Sequence, residues 1–132
     1  MNICNLGIGV DIVEIKRFSK MDRSNWEHFL KKVFTNSELD YCFSGNNAAA
    51  HLASTYSGKE AIIKAMDSLD IRHLDYHAIE ILRNEHGAPY AKLHCELIEN
   101  VNVRISLSHD NGSAVAFAIV QLEDDHHVSP DN

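Results

Sequence analysis

Apolar and polar positions alternate at both ends of the chain. Between Ile3 and Ile15 the residues are β-branched and punctuated by glycine, with Ile8, Val10 and Ile12 on one face and Gly9, Asp11 and Val13 on the other, which predicts a first strand. Near the far end Val101, Val103, Ile105 and Leu107 alternate with polar residues, Asp110-Asn111-Gly112-Ser113 makes a turn, and Ala114 to Leu122 is almost wholly apolar, predicting a closing hairpin. A second hairpin is expected from Ala78–Arg83 and Tyr90–Leu93, joined through Asn84-Glu85-His86-Gly87 with Pro89 suited to a bend. The pattern switches to a helical period over Ala48–Met66, where Ala49, Leu52, Ala53, Tyr56 and Ile63 form one stripe. Glu60 interrupts that stripe. The basic segment Lys16–Lys32, anchored by Phe18, Met21, Trp26, Phe29 and Leu30, reads as a broken helix, and Thr35 or Ser37 is a candidate cap for a short helix that follows. The architecture expected is α+β: an antiparallel sheet of hairpins packed on one long central helix. Residues 1–123 form a single domain in this reading. Residues 124–132, acidic and interrupted by Pro130, have nothing to bury and are expected to be a disordered tail.

A chain of 132 residues with 45% hydrophobic and 23% charged content fits one globular domain. Its formal charge of −7 argues against nucleic-acid binding, so an anionic partner must find a local basic patch. Lys16, Arg17, Lys20, Arg23, Lys31 and Lys32 supply one. The cysteines Cys4, Cys42 and Cys95 are odd in number and lack a CxxC pair, which points to a reducing compartment. The apolar N-terminal stretch is broken by Asn5 and Asp11 and has no basic leader, so neither a signal peptide nor a membrane span is expected. The expected location is the cytoplasm.

Asp11 and Glu60 are carboxylates in apolar surroundings, where an isolated charge costs several kcal/mol and needs a cation, donors or water. A shared divalent metal satisfies both, and two hard oxygens with water and phosphate completing the shell is how Mg²⁺ is held. The competing reading pairs either one with Lys59, Lys64 or Arg104, or leaves it at a solvated edge. Glu60 and Lys64 stand one helical turn apart with Lys59 adjacent, which fits either an i,i+4 ion pair or a metal carboxylate flanked by ammonium groups for a polyphosphate substrate. Ser106, Ser108, His109 and Asp110 gather at a strand end. Sequence neighbours on a strand point to opposite faces, so they make no hydrolytic triad, and a phosphate- or metal-contacting loop end or a plain polar turn remains. His73 and His77 have helical spacing but lack the intervening glutamate of a zinc site, and Gly7 and Gly9 make no dinucleotide fingerprint.

Three segments, Gly7-Ile8-Gly9-Val10-Asp11-Ile12-Val13-Glu14-Ile15-Lys16-Arg17-Phe18, Ser57-Gly58-Lys59-Glu60-Ala61-Ile62-Ile63-Lys64-Ala65 and Ile105-Ser106-Leu107-Ser108-His109-Asp110, resemble the motifs of the holo-acyl-carrier-protein synthase family of 4′-phosphopantetheinyl transferases. Phe34-Thr35-Asn36-Ser37-Glu38-Leu39 and Gly87-Ala88-Pro89-Tyr90 add landmarks in the same order, and the resemblance runs to about Glu123. It implies transfer of the phosphopantetheine arm of coenzyme A to a serine of an apo acyl carrier protein of fatty-acid or polyketide biosynthesis, with release of 3′,5′-ADP, by a Mg²⁺-dependent homotrimer. By the same resemblance Asp11 and Glu60 hold the metal, and Lys64 acts with them in catalysis. Lys59, Lys64, Ser108, His109 and Asp110 face coenzyme A, while Arg17, Lys20 and Arg23 face the carrier protein. Thr55 departs from the pattern, standing where the family usually has an arginine that contacts coenzyme A. The acidic Met66–Asp70 stretch replaces a glycine-rich turn. Two other readings stay open at this point: a non-catalytic relative that binds a carrier protein with an eroded coenzyme A site, and a different metal-dependent phosphate enzyme on the same fold.

Overall fold

Two glycines and a run of alanines set how closely helix and sheet approach. In the computed structural model, which describes residues 5–95 and 100–123, strand β1 (Leu6–Glu14) pairs antiparallel with β5 (Ser113–Leu122), and β5 with β4 (Val101–His109). The register sets Gly9 opposite Ala118, Asp11 opposite Ala116 and Val13 opposite Ala114. The inner face of the sheet is therefore built from small residues, and helix α3 (Ala48–Asp67) lies directly on it. A Cβ on Gly7 would fall 2.2 Å from the Ala65 carbonyl oxygen, and one on Gly9 2.0 Å from that of Ala61. Only glycine permits this approach. It brings the Glu60–Lys64 turn of the helix alongside Asp11.

Among the described residues nothing covers the outer face of the same sheet. Ile8, Val10 and Ile12 on β1 are 59%, 56% and 68% exposed and Phe117 on β5 is 44% exposed, so a contiguous apolar strip meets solvent in the single chain.

Other elements close around α3. The basic segment resolves into a 3₁₀ turn at Ile15–Phe18 and a short helix α1 (Glu27–Val33), the chain between them held by Asp22, whose carboxylate accepts from the Asn25 backbone at 2.7 Å. Helix α2 (Asn36–Cys42) starts in a reciprocal capping box between Thr35 and Glu38, so Thr35 and not Ser37 is the cap. Strands β2 (Ile79–Arg83) and β3 (Pro89–Leu93) form a separate hairpin. Its turn is made by the Asn84 side chain, which accepts from His86 and Ala88, and by Gly87 at φ 86°. Pro89 does not bend the chain. It is the first residue of β3, where proline is tolerated.

The long helix departs from the simple stripe. Of its predicted apolar row, Leu52 and Ala53 are fully buried, whereas Ala49, Tyr56, Glu60 and Ile63 are half-buried margin positions. The sheet covers one side, α2 another and β2 a third, so Ser54, Thr55, Ser57 and Lys59 are interior as well. No helix of the described residues is long and apolar enough to cross a membrane. Cys42 is a buried free thiol that desolvation pushes up to about 11, Cys95 is free and half-buried, and Cys4 and the acidic tail lie outside the described residues.

Candidate functional site

Asp11 and Lys64 meet across the seam between β1 and α3. The Lys64 ammonium lies 3.1 Å from Asp11 Oδ1 and 3.1 Å from the Val10 carbonyl oxygen, to both of which it donates. The Asp11 side chain is 15% exposed and that of Lys64 53%. The ion-pair alternative is thus realised for Asp11 with Lys64. The i,i+4 pair between Glu60 and Lys64 is not formed. Glu60 instead accepts a hydrogen bond on Oε2 from the Tyr76 hydroxyl, and its Oε1 takes no hydrogen bond among the described residues. The Tyr76 ring stacks on Tyr56 with centroids 5.8 Å apart, and burial followed by the bond to Glu60 raises its hydroxyl pKa. Sequence reasoning missed Tyr76, which sits in a connection where no periodicity marks it.

Lys59 requires a correction. One residue along a helix is a rotation of about 100°, so the neighbour of Glu60 points elsewhere, into the interior. Its Nζ donates to the carbonyls of Val33 (2.9 Å), Tyr76 (2.9 Å) and Ile79 (2.7 Å) and pairs with Glu38 Oε1 at 2.7 Å, with its side chain 0% exposed. Desolvation pushes the ammonium pKa down, and Glu38 opposes the shift. Every donor of this cation is taken, so it does not face coenzyme A phosphates. Glu38 was not singled out from the sequence as more than a cap partner, yet it also accepts from the Ile81 backbone at 2.7 Å. It joins α2, α3 and β2.

Ser108 and His109 are exposed at the end of β4. His109 stands opposite Ala114, Asp11 opposite Ala116, with β5 between their strands, and no hydrogen bond or ion pair joins them among the described residues. Asp110 serves its turn: Oδ1 accepts from Gly112 and Ser113 backbone at 2.8 Å each, and these N–H groups hold its carboxyl below the usual value of 3.8. The turn uses Oδ1, and the side chain is exposed. Near the start of α3, the His51 imidazole lies 5.0 Å from the Tyr41 ring, with the Arg83 guanidinium 5.1 Å over Tyr41. Burial first, and then the charges of Arg83 and His109, lower the His51 pKa, so three basic groups share this neighbourhood. It lies nine residues, about 13 Å of helix, from Glu60. Thr55 is 3% exposed against Cys42, 3.7 Å from its sulfur, and does not reach a ligand.

The three basic residues assigned to the carrier protein differ in freedom. Lys20 is exposed. Arg17 is exposed with its guanidinium 5.0 Å above the Tyr56 ring, and Arg23 is engaged by Asp40 at 2.7 Å.

A model of the 4′-phosphopantetheinyl transferase superfamily matches residues 7–120. The holo-[acyl-carrier-protein] synthase of Clostridium perfringens (strain ATCC 13124) is 41% identical over 128 residues, covering 89% of this chain and 95% of its own. That of Chlorobaculum parvum is 43% identical over 114 residues, covering 86% and 97%. Among solved structures, the Mycobacterium tuberculosis acyl carrier protein synthase aligns with a TM-score of 0.69 at 30% identity, covering 89% of this chain and 97% of its own. The Helicobacter pylori holo-[acyl-carrier-protein] synthase in complex with coenzyme A aligns with a TM-score of 0.72 at 28% identity, covering 86% and 99%.

Proposed function

The chain belongs to the 4′-phosphopantetheinyl transferase superfamily and is an enzyme of that class, and from this premise we propose that it transfers the 4′-phosphopantetheine arm of coenzyme A to a serine of an apo acyl carrier protein. The observation that carries this reading is the meeting of Lys64 with Asp11, one helical turn from Glu60. The serine oxygen attacks the β-phosphorus of coenzyme A as its proton is released, finally to solvent. A new phosphorus–oxygen bond forms, the bond to the bridging oxygen breaks, and 3′,5′-ADP leaves with that oxygen. Among the described residues Lys64 is held by Asp11 and one carbonyl, and it is more than half exposed, so it has the reach to meet charge growing on the departing phosphate.

The residues fit Mg²⁺. Asp11 and Glu60 are hard oxygen donors at one seam, Glu60 Oε1 is unengaged among the described residues, and the cation now on Asp11 is an exposed surface ammonium. When bound, Mg²⁺ would neutralise the pyrophosphate and polarise the phosphorus under attack. The Arg83 guanidinium over Tyr41, whose ring lies against His51 near the start of α3, offers a cation to a polyanionic ligand. The uncovered strip of Ile8, Val10, Ile12 and Phe117 supports self-association, which we read as the trimer that the family resemblance implies. The site of action in this reading is the cytoplasm. The binding-only alternative falls, since relatives named as synthases cover nearly the full described chain.

Incubation with coenzyme A, Mg²⁺ and an apo carrier protein should add roughly 340 Da to the carrier, the mass of the covalently attached arm, in intact mass spectrometry. An unmodified carrier across fatty-acid and polyketide types would overturn the reading.

Docking of an acidic carrier on the exposed basic segment predicts a salt-dependent KM for carrier protein. Lys20→Glu should raise that KM by about 5-fold while leaving the KM for coenzyme A unchanged. Lys20 is the cleaner site for this test, because Arg23 is already paired with Asp40 and Arg17 rests on Tyr56. A KM that ignores ionic strength removes the patch from the mechanism.

A further inference from the structure

We propose that Tyr76 is a positioning residue that fixes the orientation of Glu60 for the divalent cation, through a hydroxyl bond to one carboxylate oxygen that leaves the other to the metal. The inference rests on the metal reading given above. A glutamate on a helix surface has three side-chain torsions to order before it can ligate, and each free rotamer weakens the site. Here Oε2 is tied to the Tyr76 hydroxyl while Oε1 is unengaged among the described residues. A single donor of this kind selects one carboxylate orientation.

Tyr76 is itself held from two sides. Its ring stacks on Tyr56 at 5.8 Å and 28°, and Tyr56 in turn packs on Phe18 at 5.6 Å. Its backbone carbonyl accepts from the buried Lys59 ammonium at 2.9 Å, the same ammonium that grips Val33, Ile79 and Glu38. The residue begins a 3₁₀ turn, Tyr76–Ala78, that leads straight into β2. The connection is therefore fixed at the point where its hydroxyl leaves for the site. This gives the interior Lys59–Glu38 pair a function besides stability: it sets the loop that aims Tyr76.

The test uses the whole protein without substrates, titrated with Mn²⁺ as the probe metal and followed by electron paramagnetic resonance. Tyr76→Phe keeps the ring on Tyr56 and deletes only the hydroxyl. It should bind Mn²⁺ about 10-fold more weakly than the wild type. In turnover, the Mg²⁺ concentration giving half the maximal rate should rise by a similar factor with the KM for carrier protein unchanged, a split that a general loosening of the fold would not give. Equal or tighter Mn²⁺ binding in Tyr76→Phe overturns the role of Tyr76, as does a parallel rise of the carrier KM. A wild type that binds no Mn²⁺ overturns the metal site and, with it, any role of Tyr76 toward it.

Discussion

Asp11→Asn and Glu60→Gln are each expected to lower the transfer rate by roughly 100-fold or more, with the protein still folded. Both substitutions keep side-chain shape and remove one negative charge. Mg²⁺ takes few protein ligands and holds the rest of its shell from water and phosphate, so losing either carboxylate halves the protein charge that retains it. Stability should change little. Asp11 loses a partly exposed ion pair with Lys64, a type of contact worth about 0–1 kcal/mol. The side-chain amide introduced by Glu60→Gln would still offer an oxygen to the Tyr76 hydroxyl. Excess Mg²⁺ should recover part of the activity, since the defect is one of retention. Near wild-type turnover of either variant at limiting Mg²⁺ would mean that the seam is not where the cation binds.

How much of this was legible beforehand follows from which interactions leave a periodic trace. Ile8, Val10 and Ile12 alternate with Gly9 and Asp11, so the strand and the odd placement of a carboxylate among apolar residues were both readable, and the cap of the short helix was narrowed to Thr35 or Ser37, of which the structure uses Thr35. Glu60 stood out for the same reason. Spacing along one helix, however, tells which residues share a face and not what each face meets. Lys59 is covered by β2, α2 and the Tyr76 connection, none of which is close to it in sequence. Thr55 is in the same position, its hydroxyl turned to the buried Cys42. Tyr76 and Arg83 reach their neighbours from connections or short strands, where only tertiary packing decides what they touch. The glycines at 7 and 9 were visible, but their purpose, the approach of Ala61 and Ala65, appears only once helix and sheet are docked.

The interior pair leads to the second large effect, on stability. Lys59→Met should destabilise the fold by about 3–5 kcal/mol, because it leaves the Glu38 carboxylate buried without its cation and three carbonyls without their donor. For a domain of this size that corresponds to a fall in Tm of more than about 10 °C. Adding Glu38→Gln to Lys59→Met removes the uncompensated charge and should recover part of the loss. Recovery stays incomplete, since the carbonyls of Val33, Tyr76 and Ile79 remain unpaired and the capping box with Thr35 is weakened. The pattern separates an interior role from a ligand-facing one. If Lys59 faced the phosphates of coenzyme A, Lys59→Met would melt within about 2 °C of the wild type, as surface substitutions do, and would raise the KM for coenzyme A. An interior Lys59 gives the reverse in calorimetry and kinetics below the melting range: a large drop in Tm, an unchanged KM for coenzyme A, and a raised Mg²⁺ requirement through the loosened Tyr76.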